Sequence, residues 1–181
     1  MQDNLLTQNI FTVLQAGLTA QGYATVQLAA SFQPTNQGVN TPPTIFLFKI
    51  GDHRYGFLER TDVWDVDTET MVHTETQIYE TMFQISALSI QNPATATTST
   101  PTASDLANVA ASIMQSDVTR LALNAQGINI YRITDVRNPY FMDDKNRFEA
   151  SPSFDFTVQH QQVVTTTSPV STKFVVNIDR V

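Results

Sequence analysis

Leu6, Ile10, Val13, Leu14, Gly17 and Leu18 recur at steps of three and four, the spacing that lines up side chains on one face of an α-helix. The pattern predicts a helix over residues 4–21. Asp3 is placed to cap its first turn, and Gly22 to end it by adopting a left-handed conformation. Residues 23–28 then read as a first short strand. Residues 33–43 (QPTNQGVNTPP) read as a loop, because adjacent prolines cannot donate to a sheet. Residues 44–50 (TIFLFKI) are apolar on both faces, which predicts a central strand covered on both sides. Gly51-Asp52 predicts a turn, with a return strand beginning over residues 55–58.

Further along, residues 77–90 alternate. Tyr79, Thr81, Phe83, Ile85 and Ala87 share one face, with Glu80, Gln84 and Ser86 opposite, joined there by Met82 and Leu88. That period of two predicts the longest strand of the chain. Residues 91–101 (QNPATATTSTP) read as a low-complexity linker. Thr102, with Asp105 three positions on, forms the start of a capping box. Leu106, Val109, Ala110, Ile113 and Met114 give the following helix its apolar face. The same phase runs on through Val118, Leu121, Ala122 and Ala125, with a break at Ser116-Asp117 and a stop at Gly127.

Residues 128–134 read as the next strand. Asn138-Pro139 and residues 143–146 mark turns, and residues 154–160 alternate as an antiparallel strand. Residues 165–169 read as a loop and residues 174–178 as a closing strand. Helix, strands, helix, strands, with mostly hairpin-length connections after residue 44, predict an α+β fold. The sheet is expected to be mainly antiparallel, with an N-terminal helix and a second long, breakable helix packed on one face. Residues 1–181 are expected to form a single domain carrying polar loops at 33–43 and 91–101.

Charge narrows the functions available. Ten basic against 17 acidic residues give a net charge of −7, which disfavours wholesale nucleic-acid wrapping, since phosphate binding needs clustered Lys and Arg. With no cysteine, disulfides, thiolate chemistry and Cys-ligated metals are excluded. No stretch approaches the roughly 20 apolar residues of a membrane-spanning helix. Met1-Gln2-Asp3-Asn4 lacks the basic region of a secretion signal, so a soluble protein made and used without export is expected.

Motifs that carry chemistry are sparse. His53, His73 and His160 have neither a second His nor a carboxylate at a helical metal spacing. Each is expected at the surface or at a strand end, with His53 in a turn and His160 closing a strand. Gly-x-Ser-x-Gly does not occur, and six glycines leave no phosphate-cradling loop. The chain is therefore not expected to be an enzyme or to hold a cofactor or metal.

Two charged stretches remain. Glu59, Asp62, Asp65, Asp67, Glu69 and Glu75 stand against the single Arg60, interrupted by Val63, Trp64 and Val66. They fit a solvated strand edge or loop, a negative surface lining a pore or facing a partner, or a cation loop. For the last, Asp65-x-Asp67-x-Glu69 lacks the glycine and distal glutamate that a calcium loop needs. Arg132, Arg137, Lys145 and Arg147 alternate with Tyr131, Tyr140, Phe141 and Phe148. They fit a solvated loop anchored by aromatics, or a contact surface for an acidic neighbour such as residues 59–75 of another copy. Such head-to-tail complementarity is what a ring requires.

Three segments together resemble the tail and neck terminator proteins of tailed bacteriophages. They are the amphipathic helix 4–21, the strand 75–85 (ETQIYETMFQI) followed by a linker and the helix 103–124 ending at Gly127-Ile128, and residues 146–149 (NRFE) before the strand 153–156 (SFDF). The resemblance covers most of the chain and includes no catalytic signature. It implies a structural virion subunit of the neck, present in the host cytoplasm during assembly. It further implies a homo-oligomeric ring, commonly of six copies, that caps the tail tube, stops its polymerisation and offers a docking face to the head. The implied partners are further copies of the chain, the tail tube protein, the sheath protein if the tail is contractile, and a head completion or connector protein. DNA passes through the lumen without specific binding, and no membrane is involved.

In that setting the expected inter-subunit contacts are Asp62, Asp65, Asp67 and Glu69 on one side and Arg132, Arg137 and Arg147 on the other. A head–tail connector, collar or baseplate subunit is the alternative within the particle. A hydrolase or carbohydrate-binding module using the acidic stretch and Trp64 is the alternative outside it.

Overall fold

A computed structural model describes residues 2–30, 42–89, 101–142 and 148–169. Helix α1 (Asp3–Ala20) is followed by strands β1 (Gln27–Ala30), β2 (Thr44–Asp65) and β3 (Thr70–Leu88). Helices α2 (Ala103–Gln115) and α3 (Asp117–Asn124) come next, then β4 (Ile128–Ile133), β5 (Tyr140–Met142), β6 (Phe148–Ala150) and β7 (Ser153–Pro169). The main sheet has the order β1-β2-β3-β7-β4, and β5 and β6 form a separate small hairpin. Only β1 and β2 run parallel in the main sheet. The expected α+β class and mainly antiparallel sheet are what the chain adopts.

The helices cover one face of one half of the sheet. Leu6, Ile10, Leu14 and Leu18 of α1 and Leu106, Ala107, Ala110 and Met114 of α2 are buried against Ile45, Leu47, Phe83, Ile85, Phe154, Phe156 and Val158. Phe83 and Phe156 are cross-strand partners whose rings stack with centroids 5.4 Å apart. Because β-strand side chains alternate between faces, one set of positions on each strand carries the whole core. The α1–α2 contact is close because Gly17 has no side chain where it meets Ile113.

Several boundaries differ from the sequence pattern. Gly51-Asp52 makes no turn: β2 runs through it for 22 residues and absorbs the glycine as a register shift between Lys49 and Gly51. Residues 55–58 belong to the same strand, where a second shift lies between Tyr55 and Glu59. The start of β2 is covered on one side only, with Ile45 and Leu47 buried, Phe46 and Phe48 half-buried and Ile50 exposed. The strand over 77–90 begins at Thr70, and β2, not β3, is the longest. The first strand starts at Gln27 rather than Tyr23, after a turn in which Val26 N–H donates to the Tyr23 carbonyl. Residues 165–169 are not a loop but the end of the 17-residue β7.

Side-chain hydrogen bonds set some of the helix ends and not others. Thr102 and Asp105 form a complete capping box, which holds the Asp105 carboxyl below its usual range through hydrogen bonds from Thr102. Asp3 does not cap α1; Gln2 is the N-cap, without a side-chain bond, and Asp3 pairs with Lys49 at 2.8 Å. Ser116 ends α2 and caps α3, so the apolar phase does not carry through. Thr119 and Leu123 are buried, while Val118 and Leu121 are 80% and 69% exposed. The loops at 33–43 and 91–101 lie outside the described residues except at their last positions, and so do the turn at 143–146 and the strand at 174–178.

Candidate subunit interface

Strands β2, β3 and β7 outrun the helices. Pairing continues from Asp52↔Thr81 to Asp65↔Thr70 on one side of β3, and from Thr81↔Val158 to Thr70↔Pro169 on the other. Over this stretch β2 is exposed at nearly every position, as is β7 from Gln161 onward, and β3 between them is half-buried. The result is a three-stranded arm that projects roughly 35 Å beyond the core, at about 3.3 Å per residue over Thr70–Thr81. β1 pairs only with residues 44–47 of β2, and β4 only with residues 156–160 of β7. Both long edges of the arm are therefore without a neighbouring strand among the described residues.

Side chains on the helix-side face of the arm are knitted together. At the base, Lys49 binds Asp3 at 2.8 Å and Asp52 at 2.6 Å. Burial alone would lower the Lys49 pKa, but its hydrogen bonds to the two carboxylates prevail and raise it. Thr81 donates to Asp52 at 2.6 Å, and His160 Nε2 lies 2.9 Å from the same hydroxyl. Burial works to raise the Asp52 pKa, and the bonds from Lys49 and Thr81 outweigh it and lower it. Tyr79 stacks on His160, and Arg54 lies over the Tyr79 ring. His160 is thus neither exposed nor at a strand end: it is 5% exposed and sits within β7, because that strand runs nine residues further than its alternating pattern.

Toward the tip, Asp62 is 2.7 Å from His73 Nδ1 and 3.0 Å from Arg60 Nε, while His73 Nε2 meets Ser168 Oγ at 2.7 Å. These bonds, His73 first, hold the Asp62 carboxyl below its usual range. Residues 66–69 form the turn, where Asp65 Oδ1 accepts from the amides of Asp67 and Thr68 at 3.0 and 3.4 Å. The Asp65 pKa is lowered by the Thr68 side chain first and then by the Asp67 amide. Glu69 adopts φ 49°, a left-handed conformation that tight turns require. His53 lies within β2, not in a turn, and is exposed.

The expected contact residues sort accordingly. Asp62, Asp65, Asp67 and Glu69 gather at the arm tip. Arg132 lies on β4 at the sheet edge, and Arg137, which pairs with Asp155 at 2.6 Å, lies in the isolated bridge to Ser153. Arg147 and Lys145 lie outside the described residues. The arm also displays apolar side chains that the charge pattern hid: Tyr55, Leu58, Val63, Val66, Val163 and Val164 are about half exposed or more, and Phe57 is 100% exposed beside Gly56 at φ 75°. The unbroken run of β-branched residues at 163–167 could have signalled the extension of β7. Among the described residues, no group of three His, Asp or Glu is arranged to hold a metal ion, and no helix is long and apolar enough to cross a membrane.

A family model described as E217 gateway protein gp29 matches residues 5–170. The chain belongs to that family. Gateway gp29 is a phage protein family, and membership makes this chain a structural protein of the phage tail and neck, carried in the virion, and not an enzyme. Among solved structures, the chain is similar to the sheath/tube terminator of an extracellular contractile injection system, PVC, in its extended state. The identity is 10% and the TM-score 0.48 over 96% of this chain, which spans 63% of the length of that one. No curated protein matches the chain.

Proposed function

We propose that the chain is a tail terminator subunit that assembles as a ring, of six copies, on the head-proximal end of the tail tube. The ring ends tube growth and presents a docking face to the head completion protein, and to the sheath where the tail is contractile. DNA crosses its lumen. The observation that carries this reading is the arm: a three-stranded ribbon with two open edges, uncovered by any described helix. Open edges offer rows of unpaired amides and carbonyls that a neighbouring copy can satisfy. Closing the ribbons head-to-tail into a ring removes every edge, whereas an isolated copy leaves them to water.

Charge gives the contacts their direction. Asp62, Asp65, Asp67 and Glu69 are proposed to face the side of the next copy that carries Arg132, Arg137 and Arg147. The net charge of −7 suits a channel through which DNA slides without being gripped.

Negative-stain images of a lysate from phage lacking this gene test the reading. Tails of uncontrolled length are expected. Tails of normal length that fail to join heads would assign the chain to a connector or collar instead, and an unaltered particle would overturn both.

A further inference from the structure

We infer that the tip of the arm docks into a groove on the helix-free face of a second copy, with Val66 as the apolar plug and Asp67 and Glu69 opposite Arg132. The inference rests on the ring reading and names the contact that would join its subunits.

The groove, of about 390 Å³, is lined by Ile50, Met82, Tyr131, Arg132, His53 and Glu80, among others. Ile50, Met82 and Tyr131 are 45%, 43% and 68% exposed, so its walls present apolar surface to solvent. Among the described cations, Lys49, Arg60, Arg120 and Arg137 have carboxylate partners and Arg54 lies over a ring. Arg132 has neither. Of the two acids in the groove, Asp52 is neutralised by Lys49. Glu80 makes no ion pair with Arg132, from which β7 separates it.

The tip is complementary. Asp62 is bound by Arg60 and His73, and Asp65 is spent on the turn amides. That leaves Asp67 and Glu69 as its unpaired carboxylates, beside Val66 at 74% exposure. Because Asp65 already organises the turn, little conformational freedom remains to be lost on docking. A tip cannot reach the groove of its own chain: Met82 and Thr70 lie on one continuous strand, about 40 Å apart at 3.3 Å per residue. The occupant is therefore another copy, and the contact is head-to-tail.

The absence of cysteine makes the test direct. Particles carrying Val66→Cys together with Met82→Cys are oxidised and run on a non-reducing gel, beside each single variant and beside wild type treated with a general amine crosslinker. Both positions are exposed, and the circular dichroism of the reduced purified chain confirms folding. A ladder of covalent multimers of this chain in the double variant is expected. It should disappear with Arg132→Glu and return when Asp67→Lys and Glu69→Lys are added. Multimers with the amine reagent but none through the cysteines would overturn the docking and leave the ring standing. Monomers under both treatments would overturn the ring itself. A cysteine bond from position 66 to a different virion protein would overturn a second copy as the occupant.

Discussion

His160 is held as a neutral ring by its partners. Thr81 commits its hydroxyl hydrogen to Asp52 and so accepts from His160 Nε2–H, while Nδ1 has no hydrogen-bond partner. Burial, the largest cause, lowers the His160 pKa, and the Asp52 carboxylate and the Gln161 backbone only partly oppose this. Below about pH 6.5 the unfolded chain takes up a proton that the folded chain resists, so the stability is fully present above that pH and is lost as pH falls. Urea unfolding should therefore give a lower midpoint at pH 5 than at pH 7.5, and His160→Phe should shrink that difference. An equal pH dependence in the variant would refute this account. The sequence places this histidine in phase with Phe154, Phe156 and Val158, unlike His53, but it does not show how far β7 continues or that Thr81 and Tyr79 of β3 lie beside it.

At the scale of elements, amphipathic spacing identified α1 and α2, and Thr102 with Asp105 marked the start of α2, because those signals are local. The α3 face was misassigned for a local reason too. Ser116 takes an extended conformation with ψ 146° and caps the next helix, which rotates α3 out of the phase of α2. The α1–α2 contact was legible only in part: Gly17 falls on the apolar face, but its reason is the Ile113 side chain, which would collide with a methyl group there. Gly17→Ala should gain up to about 1 kcal/mol of helix propensity and lose about 1–3 kcal/mol to overpacking. A net loss of stability in chemical denaturation is expected, and Ile113→Ala, which removes the atoms that meet the new methyl group, should cost less in that variant than in wild type. A more stable single variant would show that the helices can separate without cost.

For the whole molecule, the arm is the decisive feature. It carries Phe57, fully exposed at the second register shift of β2. Removing a side chain that touches nothing in its own chain should leave unfolding within about 0.5 kcal/mol of wild type. Phe57→Ser is therefore expected to melt like wild type and yet to lower the fraction of this protein incorporated into tails, as read by gel densitometry of purified particles. Unchanged incorporation would remove Phe57 from the assembly surface. A large loss of stability would mean that it packs within its own subunit.

Local chemistry, by itself, determined much of this protein. The alternation of β3 and β7, the helical faces, the caps and the absence of catalytic or metal motifs are properties of short stretches, and the family resemblance follows the same stretches. Tertiary structure decided where strands stop and which charges remain free. Gly51-Asp52 has turn chemistry, but pairing with β3 on one side carries β2 through it as a bulge. Residues 165–169 look like a loop alone and become a strand because β3 offers them partners. Both outcomes arise from hydrogen bonds between residues far apart in the chain. That is why the arm, and the separation of Asp67, Glu69 and Arg132 from the charges already paired, emerged only once the strands were side by side.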